Sequence, residues 1–358
     1  MKQFQRTALS SAIAVGLLCS QASAADYDRE YFKTINETKN IDANADFTNQ
    51  YLGVGYIDPQ NPGALTIDNG AVVNAYGVFV GTNGGTGTIN VSGGAQLNVV
   101  AALSGSNYIS ENLVINGRLY PAPGWSADQG QGVGSVTVAG PGSLISADSF
   151  SANTTISDGG SVVANDASGS NLVVTGEGST LQAKSVTSGK LVVSDGATVT
   201  GQRVTVTEGA VNSGGSVIAD SIRITSPRSE NELVVSGADT LVQASTRITI
   251  EPDLEFGARV IVADGATLSA PEIEFSNDSD YEPNIELAVG SKAGDGPVSA
   301  GRLAVDKITF NDGWNGGVPG TITLNHTNTD FNLGASLNGA GTVQALNGTS
   351  FLTGDNQA

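Results

Sequence analysis

One phrase, repeated with drifting spacing, constrains this chain more than any single residue. LVVSDGATVTGQRVTV at 191–206 is echoed by LTIDNGAVVNA from Leu65, INVSGGAQLNV from Ile89, TISDGGSVVAN from Thr155, LVVTGEGSTLQA from Leu172, LVVSGADTLVQA from Leu233 and VIVADGATLSA from Val260. Aligned on the small residue after each turn (Ala71, Ala95, Ser143, Ser161, Ser179, Ala197, Ser216, Thr240 and Ala266), the units recur every 18 to 26 residues or so. The longer interval from Ala95 to Ser143 reads as two coils, one of them degenerate around NLVINGRLYPAPGW. A fixed short period is the mark of a solenoid.

Each unit holds a short strand, a tight Gly/Asp/Asn turn, a second strand and a third. The third alternates: Val204 and Val206 stand among Arg203, Thr205 and Thr207, Ile222 and Ile224 among Ser221, Arg223 and Thr225. Ile248 and Ile250 alternate with Arg247 and Thr249, and Ile273 and Phe275 with Glu272 and Glu274. That is a half-buried strand. Such strands are too short for a propeller blade or a sandwich. Stacked in coils, they bury one face in a continuous core and pair along the axis. The fold expected is all-β, a right-handed parallel β-helix. Over 64–356 it has room for roughly 12 to 14 coils, which at ~4.8 Å each make a rod roughly 60 Å long. The more polar and aromatic residues 25–63 read as an N-terminal cap over an otherwise open end.

Residues 1–24 read as a secretory signal peptide. Lys2 and Arg6 precede an apolar stretch, and Ala22–Ser23–Ala24 supplies the small residues for cleavage between Ala24 and Ala25. The stretch is about half the ~20 residues of a membrane span. Leu18 is too large to precede a lipoprotein cysteine at Cys19. Past the leader no cysteine remains, so no disulfide is available. The formal net charge of −19 repels nucleic acid and anionic lipid.

Chemistry is sparse. His326 is the one histidine, so no histidine-based metal cluster can form. The glycine pairs Gly132/Gly134, Gly176/Gly178 and Gly339/Gly341 lack the third glycine of a dinucleotide loop and read as turns. Asp278, Asp280 and Glu282 could offer calcium alternating oxygens, but no glycine or bidentate acid follows at the needed spacing, so they read as a solvated loop. A polysaccharide-cleaving β-helix would need carboxylates and a base converging on one face. Lys184, Lys190 and Arg203 are scattered, with Asp195 the nearby acid, and Trp125 and Trp314 read as packed against the coil rather than stacking on sugar. No catalytic residue, cofactor site or metal site is expected.

The C-terminal stretch GTITLNHTNTDFNLGASLNGAGTVQALNGTSFLTGDN, 320–356, resembles a segment of bacterial type V autotransporter passengers. The matching positions are Asn325, His326 and Thr327, then Phe331, Gly339, Gly341, Val343, Gly348, Thr349, Leu352, Thr353, Gly354 and Asn356. The upstream coils are similar to that family's passenger repeats, and with the leader the resemblance covers essentially the whole chain. It implies passenger repeats over 64–309 and a C-terminal-type passenger segment over 310–358. The implied protein is a surface adhesin binding host surfaces, matrix or neighbouring bacterial cells, carried to the outer membrane by a translocator barrel. The chain stops at Ala358 inside the passenger pattern, so a broken or split gene, a periplasmic product or a functionless fragment is the expected alternative.

Overall fold

The computed structural model describes residues 32–55, 60–81, 85–104, 133–226, 231–252, 257–276, 284–311 and 320–355. Among them every regular element is a strand, from Phe32–Ile35 to Ser350–Leu352, and every strand pairing is parallel except for one isolated bridge, Ala263 with Ala300. The molecule is a parallel β-helix.

Its coil is clearest in the middle. Ser161–Thr175, Thr180–Ser194 and Thr198–Asn212 each run through one coil. Pairing skips Asn165 and Ser170 below Lys184 and Gly189, so each strand bends at two corners into three short ones. The first face pairs Ser161 with Thr180, the second Asp166 with Ser185, the third Asn171 with Lys190. Alternation then sorts the side chains. Leu191, Val193, Val204 and Val206 are at most 1% exposed, whereas Val192 is half-buried and Arg203 exposed. The expected inner wall of Ile222, Ile224, Ile248, Ile250, Ile273 and Phe275 is buried as well.

Three expectations need correction. Residues 25–63 are not all cap: Phe32–Ile35, Thr38–Ile41 and Ala45–Val54 already pair in parallel with the following coils, and bury Ile35, Ile41, Leu52 and Val54. Polar residues hid this: Lys33 and Lys39 stand in register with the buried Leu52 and Leu65, yet both are exposed in the first described coil. The long interval after Ala95 is one coil, not two. Gln96–Ser104 stacks directly on Leu144–Ser151, and Thr86–Val91 on Val133–Ala139. Finally, the residues stacked in the post-turn column are Gly160 and Gly215, not Ser161 and Ser216. Thr180 donates its amide to Gly160 O, and Leu241 donates to Gly215 O. A Cβ at Gly160 would lie 2.4 Å from Val138 O, and one at Gly215 2.4 Å from Val193 O, so neither position accepts even alanine without a shift.

The turns explain the recurrent Asp-Gly. Asp195 (φ 56°) and Gly196 (φ 79°) both adopt left-handed backbone, and Ala197 N–H closes on Ser194 O. This is a type I′ turn, which aspartate, asparagine and glycine enter at least penalty. GPGS at 140–143, GEGS at 176–179 and GADT at 237–240 form type II turns instead, closed by Ser143, Ser179 and Thr240 on the first glycine's carbonyl. Stacked type I′ turns bond directly, Gly196 N–H to Ser213 O. Beneath a type II turn, the glycine amide turns to a buried hydroxyl: Gly94 to Ser143 Oγ, Gly159 to Ser179 Oγ, Gly214 to Thr240 Oγ1. Ser or Thr in the column therefore marks a type II turn and alanine a type I′ turn. Ser179→Ala leaves the Gly159 amide without its acceptor and is expected to lower stability by about 1–3 kcal/mol, read as a shifted urea midpoint at constant slope.

Candidate functional site

Three outer features are built by the stacked coils. The first face is uncharged. Its outward pairs run from Val72/Asn74 through Gln96/Asn98, Thr180/Gln182 and Thr198/Thr200 to Thr267/Ser269. No charged side chain stands on these positions until Arg302. At ~4.8 Å per coil the strip is about 40 Å long. Hydrogen bonds along the axis, Asn98 Nδ2 to Asn74 Oδ1 and Thr180 Oγ1 to Ser161 Oγ, hold parts of it flat. Val163 and Ile218 are each 39% exposed on it. The turn edge alongside is acidic, with Asp158, Glu177, Asp195, Asp239 and Asp264 all exposed.

The second face is charged in later coils. Register brings Arg247 beside Glu272 and Glu274 beside Thr249, although these residues are far apart in sequence. Arg223 grips Glu251 with two 2.8 Å bonds, Arg247 reaches Glu274 at 3.0 Å, and Lys307 reaches Glu272 at 2.7 Å. Thr309 and Asn311 also donate to Glu272 and Glu274. Partial burial raises the Glu272 pKa, but the hydrogen bonds from Lys307 and Thr309 and the charges of Lys307 and Arg247 outweigh it and hold the carboxyl below its ordinary value. Carboxylates and bases thus do converge on one face, where the sequence suggested scatter. Reading along the coil offset, rather than along the chain, would have found them. Each carboxylate is already paired with a cation, and Glu272 is pushed away from the raised pKa of a general acid.

The third face carries a strap. Residues 291–300 cross its outer side, covering Ile261, Ala263 and Ala288. Underneath, Glu286 is 4% exposed although its position alternates outward. Arg259 Nε lies 2.5 Å from one carboxylate oxygen, and Thr323 Oγ1 donates to the other at 2.6 Å. Glu232 sits between Arg259, at 3.5 Å, and Lys292 on the strap, at 3.3 Å. Burial disfavours the Arg259 charge, but Glu286 and Glu232 more than compensate and raise its pKa. The adjacent recess of Asn231, Gly257, Ala258, Arg259 and Asn284 leaves no room for even a water-sized group, whereas a small ligand pocket needs ~300 Å³.

Asn325, His326 and Thr327 tie this strap to the last coil. Asn325 Nδ2 donates to Ser291 Oγ, Lys292 O and Asp295 O, and Asn347 donates to Asn325 Oδ1. Thr327 N–H donates to Val298 O, and Asn328 accepts from Ala300 N–H with its side chain and from Thr349 N–H with its carbonyl. His326 is fully buried, 5.1 Å from the Phe331 ring. The resemblance-derived glycines serve close approach. A Cβ at Gly341 would strike the Phe310 ring at 2.3 Å, one at Gly339 would meet Phe310 O at 2.1 Å, and one at Gly354 would meet Ala335 O at 1.9 Å. Above this coil no further coil lies among the described residues, and its inward-facing Ala345 and Leu352 are exposed.

Ala24, Ala25, Asp278, Asp280, Glu282, Trp125, Trp314 and Asn356 lie outside the described residues. Among those described, no group of three His, Cys, Asp or Glu is arranged to hold a metal ion. No protein-family model, no curated protein and no solved structure matches this chain.

Proposed function

We propose that this chain is an autotransporter-type passenger, displayed on a bacterial surface, acting as an adhesin or self-association module. The observation that carries the reading is the uncharged first face, from Val72/Asn74 to Thr267/Ser269, on a chain of formal net charge −19. A flat neutral strip lets two acidic rods approach where the acidic turn edge would repel. Its Asn, Gln, Ser and Thr side chains offer donors and acceptors to a second rod or to a host surface. The leader and the 320–356 resemblance support export and display.

Displayed on cells through a translocator barrel, the chain should make them aggregate or adhere. Thr200→Glu with Ile218→Glu places like charges on adjacent coils of the strip. That should cut aggregation at least about tenfold, since each tenfold needs only ~1.4 kcal/mol. A displayed chain that neither aggregates cells nor adheres to host surfaces removes the reading.

The convergence of Glu251, Glu272 and Glu274 on the second face supports a second reading, a polysaccharide-active β-helix enzyme, while their cation partners and the lowered Glu272 pKa count against it. A panel of acidic glycans tests it, and absence of turnover removes it.

A further inference from the structure

We infer that His326 makes the junction of strap and last coil an acid-sensitive latch, whose protonation releases residues 291–300 and 321–355 while the central coils stay folded. The inference stands on the junction's own geometry and is independent of the adhesin reading.

The ring is 0% exposed. Its Nε2 lies 2.8 Å from Ser350 Oγ on the last coil, and its Nδ1 has no hydrogen-bond partner. Gly348 closes over that nitrogen so tightly that a Cβ there would lie 2.3 Å from Nδ1. Phe331 covers a face of the ring, and Gly290 passes close to its Cβ. A neutral imidazole fits this space. An imidazolium must donate from both nitrogens, and no acceptor meets Nδ1 in hydrogen-bond geometry; the Asn328 backbone favours the charge, but less than burial disfavours it.

The charged residues on the packed elements do not compensate. The strap carries Lys292 and Asp295, which meet this corner through their backbone carbonyls on Asn325. Glu286, on the strand paired below 321–325, is taken by Arg259 and Thr323. Asp330 and Asp355 flank the last coil in exposed positions. No carboxylate holds the ring. Burial instead lowers the His326 pKa, a shift that the Asn328 backbone opposes without meeting hydrogen-bond geometry at Nδ1.

A folded pKa below the ordinary 6.5 means that the unfolded segment binds the proton first. Stability from this site is present above pH 6.5 and is lost as pH falls toward the folded pKa. The loss is local because the backbone of 325–328 bonds both to the strap and to 349. Opening this corner disconnects both. His326 is also the chain's one histidine, so no other imidazole contributes to a transition in that range.

Amide hydrogen exchange on the full chain at pH 7.5 and 5.0, corrected for intrinsic rates, tests this. Peptides in 291–300 and 321–355 should lose protection by up to about thirtyfold, the one-proton limit between pH 6.5 and 5.0, while 161–212 should not change. In His326→Gln that pH dependence should vanish. Equal protection at both pH values overturns the latch, and the same loss in His326→Gln overturns it in favour of the carboxylates. Should the variant fail to fold, the single histidine NMR resonance of the unmodified protein decides. A titration below 6.5 that coincides with changes in the last coil supports the latch, and one at 6.5 without such changes refutes it.

Discussion

Glu286→Ala is expected to destabilise the C-terminal coils by about 3–5 kcal/mol, the range for breaking a buried ion pair from one side. Arg259, with a side chain 17% exposed, would lose its nearest partner and keep only Glu232. Thr323, 1% exposed, would lose its acceptor. Glu286→Gln keeps an oxygen for Thr323 and removes the charge, so a smaller loss is expected. Replacing the pair together, Glu286→Leu with Arg259→Met, should recover much of the stability, because two apolar side chains avoid both desolvation penalties. Glu251→Ala is the control. Its partner Arg223 is 48% exposed, and a solvated pair contributes up to ~1 kcal/mol. Urea unfolding of the four variants orders them. A Glu286→Ala loss no larger than that of Glu251→Ala would mean that the strap does not seal the site.

Val193→Asp should do more than lower one midpoint. Val193 is 0% exposed at the inner wall of a central coil. A carboxylate there has no partner and costs several kcal/mol, among the largest single-site effects expected. A solenoid transmits cooperativity only through neighbouring coils. The break should therefore uncouple the rod, and one unfolding transition should become two. Val192→Asp, one residue earlier, lands on the outward side, where Val192 is half-buried beside Val173 and Ala210. There the change should stay within about 0.5 kcal/mol. Similar losses at the two sites would contradict the strand register.

Much of this architecture was legible because a solenoid coil is specified locally. Alternation in RVTV, SIRITS and TRITIEP decides which side chains face the axis, and Asp-Gly decides where the chain turns left-handed. Both rules act over a few residues, so the inner wall read from sequence agrees with the buried set. At Ser161 and Ser216 the post-turn column is off by one residue for an equally local reason. In DGGS and SGGS, two adjacent glycines leave the turn position ambiguous, and only the stacked amide on Gly160 O and Gly215 O resolves it.

What the sequence alone determined, then, is the repeat, the period-2 burial, the turns and the acidic, chemistry-poor character of the chain. Tertiary structure decided whatever depends on which coil lies beside which. Insertions change the coil offset, so Arg223 finds Glu251 and Lys307 finds Glu272 only once the stack exists. Glu286 alternates outward like any solvated residue, and it is buried because a strap from its own coil folds back over it. His326 becomes the centre of a closed junction for the same reason: its neighbours come from 290, 298, 331, 348 and 350, and no local pattern links them.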